Sequence, residues 1–197
     1  MGKRARSLIY LAVLATLAAL PLRLQAAEGL QPLPPAADLS ESAAKVRAGL
    51  FAALSAAKDE PDAREVEDGL WKFWRSFADG ESRRLLDLSK EAMLRFDYGG
   101  ALAHLQSVVE HQPRFAEGWN QLAFGLFLAG SYDASLAALD RTLELEPLHY
   151  AALAGKGVIL IQQGKEDAAQ IALKAALAIN PWLKERNLIV AKPERKL

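Results

Sequence analysis

The side chains best equipped for chemistry in this 197-residue chain are few, and their spacing suits little of it. His104 and His111 stand seven residues apart, two turns of one helix, so they can share a face. Two imidazoles without a third ligand fall short of a zinc site, which takes three or four. Both read as partly solvated surface residues, as does His149 beside Tyr150. The absence of cysteine excludes disulfides, thiolate metal sites, covalent haem attachment and a lipid-modified N-terminal cysteine. Gly155-Lys156-Gly157 and Gly164-Lys165 superficially suggest phosphate loops, yet neither has the Walker spacing that cradles a nucleotide. Glu65, Glu67 and Asp68 are spaced as a solvated helix face, and no serine sits in a nucleophile elbow. The expectation is a chain with no catalytic residue, no metal and no cofactor.

What positions these residues is helix. Hydrophobic residues make up 51% of the chain and are mostly Ala and Leu, which favour helix over strand. The N-terminus has a different logic. Lys3, Arg4 and Arg6 precede an uncharged apolar run from Leu8 to Leu20, Pro21 stops it, and small residues follow at Ala26 and Ala27. That order is the one of a secretory signal peptide over residues 1–26, in a run too short for comfortable membrane crossing. An uncleaved membrane anchor is the alternative. The segment holds four of the 24 basic residues and no acidic one, so cleavage leaves 20 basic against 24 acidic groups, a net charge of −4. Such a surface offers no electrostatic footprint for nucleic acid. Residues 27–42, with Gln31-Pro32-Leu33-Pro34-Pro35, read as an extended linker.

An internal period organises the rest. Pro113, Pro147 and Pro181 are 34 residues apart, and windows 82–115, 116–149 and 150–183 align on them. Twelve residues before each proline stand Ala101, Ser135 and Ala169; eight before stand Leu105, Leu139 and Leu173. Gly130 and Gly164 fall at the turn inside the second and third windows, where the first has Phe96. Each window predicts two helices. The glycine permits a left-handed turn, the small residue lets the axes approach, and the proline ends the second helix.

In the second window Trp119, Leu122, Ala123, Leu126, Gly130, Tyr132, Ser135, Leu139, Thr142 and Pro147 stand at the signature places of the tetratricopeptide repeat (TPR). The first window departs from the pattern at Ser89 and the third at Lys156 and Glu166. The wording of Phe115 to Asn120 and Leu145 to His149 further resembles small exported TPR proteins of alphaproteobacteria, over about Ala43 to Pro181. That resemblance implies an all-α superhelix of three TPR pairs and an upstream helix pair whose second member is tryptophan-rich. Here these would be Val46 to Lys58 and Asp62 to Phe77, a capping pair within residues 43–81. It implies a compartment but no reaction. A short capping helix from Trp182 and a frayed tail from Lys192 are expected within residues 184–197. Trp71 and Trp74 point to different sides of their helix, and Trp74 is the tryptophan expected to be exposed.

The first helices of TPR pairs line a concave groove. The candidates by register are Arg83, Leu86, Lys90, Met93 and Leu94; then Glu117, Asn120, Phe124, Phe127 and Leu128; then Ala151, Ala154, Val158, Ile161 and Gln162. Phe124 and Phe127 are expected as an apolar floor, with Arg83, Lys90 and Asn120 as polar orienters. The alternative is that some of them pack against the N-terminal helices. The places that clamp a chaperone tail in other TPR proteins carry Leu86, Lys90, Gln121, Ala151 and Gly155, which leaves one lysine and no clamp. The expected function is a periplasmic adaptor or scaffold binding a protein segment, with two alternatives. One is an accessory subunit of an envelope enzyme or transporter; the other is a membrane-tethered scaffold.

Overall fold

A computed structural model describes residues 39–190. The expected signal peptide, nearly all of the proline-rich linker and the charged tail from Lys192 lie outside the described residues. Within them the chain is helical throughout: α1 Glu41–Ala56, α2 Glu60–Arg75, α3 Gly80–Leu94, α4 Tyr98–His111, α5 Ala116–Leu128, α6 Tyr132–Leu145, α7 Tyr150–Gln162 and α8 Glu166–Ile179. A 3₁₀ turn, Lys184–Leu188, stands where the capping helix was expected. No described helix is long and apolar enough to cross a membrane.

Local chemistry fixes the helix starts. The side chains of Ser40, Asp59, Asp79 and Asp97 each accept a hydrogen bond from the backbone N–H three residues on, satisfying one of the orphan donors of α1 to α4. Pro61 sits in the first turn of α2, where its missing N–H costs nothing, so that helix begins slightly earlier than expected. The three register prolines occupy equivalent sites, each two residues beyond the end of α4, α6 or α8. The turn positions are equivalent too: φ is +73° at Gly130, +70° at Gly164 and +61° at Phe96. Phe96 thus adopts a backbone that favours glycine, and its ring is 77% exposed.

Within each pair the helices are antiparallel neighbours, and α4 packs on α5 as α6 does on α7. The fold is an α-α superhelix of three stacked hairpins. Ala101, Ser135 and Ala169 are buried where paired axes come close, and Ser135 Oγ donates to the Ala123 carbonyl across that contact at 2.6 Å. Leu105, Leu122, Leu126, Leu139 and Ile159 run through the interior as one cluster. A single hairpin could not bury these faces; the stack does.

The N-terminal pair departs from an in-line cap. Instead of simply prolonging the stack, α2 packs on α5 and reaches the turns that join the repeats. Leu54, Leu70 and Trp74 bury with Tyr150, and Ile179, Trp182 and Leu183 pack around them. Arg47 donates to both oxygens of Glu146 at 2.5 and 2.8 Å, and Asn180 Nδ2 donates to Glu67 Oε1 at 2.5 Å. The expected exposure of Trp74 is therefore corrected: it is 3% exposed. Its position four residues after Leu70 puts both on the buried face of α2.

Candidate functional site

The turn between α6 and α7 anchors the N-terminal pair, whose α2 forms a wall beside the repeats. His149 was expected to be partly solvated and is instead completely buried. The repeat explains why, because 34 residues earlier stands Phe115, which is also buried, and 34 later stands Leu183 in the same cluster as Trp74. His149 fills an apolar register site with an imidazole that must then be satisfied. Its Nδ1 accepts from the Ala152 N–H at 3.2 Å, which places the ring proton on Nε2, 3.2 Å from Glu117 Oε2. The ring stacks on Trp74, with centroids 4.0 Å apart and planes at 14°, and meets Trp71 edge-on at 5.8 Å.

Glu117 was expected on the groove surface, and the structure places it inside, 1% exposed. Asn120 Nδ2 and Gln121 Nε2 donate to its carboxylate at 3.0 and 2.5 Å, so three donors with His149 converge on one buried acid. Burial, with Glu67, Asp68 and Glu117 nearby, pushes the Tyr150 phenol well above its ordinary value. Burial alone would push Glu146 up, yet the hydrogen bonds and charge of Arg47 and the Leu148 N–H outweigh it and hold the carboxyl below the usual range.

This wall turns part of the concave face into a chamber of about 780 Å³. Phe124 and Phe127 from α5 and Ala151, Ala154 and Val158 from α7 line it on the array side. Trp71 of α2 and the Trp182–Leu183 turn line the opposite side. Phe124 is 52% exposed and so offers a large apolar face toward the opening. Phe127 is half-buried and packs on Tyr132, with ring centroids 5.9 Å apart. Asn120 also lines the chamber, although its amide is committed to Glu117.

The remaining candidates separate. Arg83, Leu86 and Lys90 line a second cavity of about 370 Å³ beside the C-terminal end of α2. Met93 packs into the array core, and Ile161 packs against Leu160 and its neighbours outside both cavities. Leu94, Leu128 and Gln162 are exposed beyond the cavity linings. Trp71, His149, Trp182 and Leu183 were not among the sequence candidates. Register could have identified the buried site at His149; the closing of α2 over α5 has no local signal. Among the described residues no group of three or more His, Asp or Glu is placed to hold a metal ion. The array side of the chamber carries no charged residue; its charged lining residues, Glu60, Arg64, Glu67, Lys184 and Glu185, come from α2 and the turn after α8.

No family model matches the chain. A curated relative, a TPR repeat-containing protein of Rhizobium etli, is 28% identical over 126 residues, or 64% of this chain; the match spans only 60% of that relative's length. Among solved structures, the first TPR domain of Spaghetti (RPAP3) bound to an HSP90 peptide superposes with a TM-score of 0.54 at 13% identity. It covers 56% of this chain and 88% of that one. The TPR2B domain of yeast Sti1 in complex with an Hsp70 peptide gives 0.52 at 18% identity, covering 56% and 90%. At these identities the likeness is one of fold, and the fold is the TPR solenoid.

Proposed function

Starting from a TPR solenoid in fold and in sequence period, we propose that this chain is a non-enzymatic interaction module that holds a partner protein's segment in the chamber between α2, α5 and α7. The observation that carries the reading is Phe124, a half-exposed aromatic facing an apolar chamber. Solved relatives in fold that hold peptides lend it support. The chamber fits one or two apolar side chains, with the segment continuing along the concave face. The same proposal places the protein in the periplasm, on the strength of the basic, apolar and small-residue order of residues 1–26.

Phe124→Ser tests the chamber, because a half-exposed ring contributes little to the core. Partner or peptide binding should be lost while the helical circular dichroism signal and the melting temperature stay near wild type. Unfolding would make the ring core, and unchanged binding would place the site elsewhere. N-terminal sequencing of the mature protein tests export: a start near Ala27 supports it, and a start at Met1 opposes cleavage. Crosslinking in the intact envelope that returns one stoichiometric enzyme would favour the accessory-subunit alternative.

A further inference from the structure

Resting on that reading of the chamber, we infer that the segment it holds is bipartite, with an apolar anchor in the chamber and an acidic side chain about three residues away, over the first repeat. Equivalent groove positions in the three repeats are not chemically equivalent. The series that gives Phe124 and Val158 on α5 and α7 gives Lys90 on α3, and the series that gives Ala151 on α7 gives Arg83 on α3, its middle member on α5 being Glu117, which is buried and satisfied. The groove therefore changes from apolar to cationic on passing from the third repeat to the first.

The second cavity shows that this change is a concentrated one. Arg75 from α2 and Arg83 and Lys90 from α3 line it together, against one exposed carboxylate, Asp87. Glu117 also borders it but is satisfied by His149, Asn120 and Gln121. Arg75 Nε donates to the Trp71 carbonyl and Arg83 Nη1 to the Ala78 carbonyl, bonds that fix the two stems and leave the charge unbalanced. None of the three cations takes part in an ion pair with a described carboxylate.

The chamber rim, by contrast, is of mixed sign. It carries Glu60, Arg64, Glu67, Lys184 and Glu185, and Glu60 is already paired with Arg64 and Arg186. Charge selection therefore falls to the second cavity. The two cavities adjoin, because Gln121 lines both. Neighbouring helices pack about 8–10 Å apart, which an extended segment covers in about three residues at roughly 3.3 Å each. An acid there meets three cations; a lysine at the same place meets repulsion.

The test uses ten-residue Gly/Ser peptides carrying a Leu-Phe anchor and, three residues away on either side, Asp, Ser or Lys. Binding to the full chain is read by fluorescence polarisation. Asp peptides are expected to bind about tenfold more tightly than Lys peptides, the effect of a few partly screened surface charges. Lys90→Glu, at an exposed position, leaves two cations against two carboxylates and should abolish that preference, and added salt should shrink it in the unaltered protein. Binding that depends on Phe124 yet ignores the third-residue charge overturns the bipartite rule and leaves the chamber reading intact. An absence of Phe124-dependent binding for every peptide overturns both.

Discussion

Replacing Trp74 with alanine removes the centre of the contact between the N-terminal hairpin and the repeats. The indole is 3% exposed and touches four rings: His149 at 4.0 Å, Trp71 and Tyr150 at 5.4 Å each, and Phe51 at 6.4 Å between centroids. Truncating a buried tryptophan costs about 3–5 kcal/mol. Most of this loss falls on one interface, because the cluster of Leu105, Leu122, Leu139 and Ile159 that holds the repeats contains no hairpin residue. The Arg47–Glu146 bonds remain, but charge-assisted bonds contribute about 1.5–3 kcal/mol each at best. Residues 41–75 should therefore open more readily while α4 to α7 stay folded. The assay is amide hydrogen exchange followed by mass spectrometry. Protection in α1 and α2 should fall by about 10²- to 10⁴-fold, the equivalent of that free energy, and protection across residues 98–162 should change far less. A fall in the hairpin of less than about tenfold would refute the stack as its anchor. Simultaneous loss of protection in every helix would refute the hairpin as a separable wall.

Three further outcomes follow from particular residues. Phe96→Gly should stabilise the protein by about 1 kcal/mol, read as a rise in melting temperature, because it relieves a left-handed non-glycine residue whose ring is largely in solvent. Gly157→Ala should destabilise by about 1–3 kcal/mol in urea unfolding, since a Cβ there would lie 2.6 Å from Leu173 Cγ and 3.3 Å from the Ala169 carbonyl oxygen. Hairpin docking should weaken in acid: the Glu146 carboxyl lies below its ordinary value near 4.5, so its contribution is complete above that pH and lost as pH falls through the depressed folded value. Glu146→Gln should flatten that part of the pH dependence in hydrogen exchange while lowering protection at neutral pH.

The repeats were legible because their determinants are local and periodic. Pro113, Pro147 and Pro181, the turn residues Phe96, Gly130 and Gly164, and the small residues Ala101, Ser135 and Ala169 each act through a backbone rule that holds wherever the register repeats. Phe124 and Val158 share one register position on the first helices of their pairs, and both line the chamber. The burial of Glu117 was not legible, because its side chain answers to His149, 32 residues on, rather than to its own helix face. Nor was the burial of Trp74, which follows from its sharing a helix face with Leu70 and Ala63 and not from its offset from Trp71. The hairpin's position over α5 depends on pairs such as Arg47 with Glu146 and Glu67 with Asn180. Those pairs span 99 and 113 residues, beyond the reach of any period or cap.

Those two distant pairs also set an order of events. A solenoid of identical modules can begin forming anywhere and remain useful when shortened. Here the hairpin of α1 and α2, which precedes the repeats in the chain, has its docking partners in the second and third repeats and in the turn after α8, so its docking must wait for them. The chamber, lined by Trp71 on one hand and by Trp182 and Leu183 on the other, is therefore complete only when both ends of the described residues are folded. A chain truncated at either end of the described residues lacks a side of that cavity.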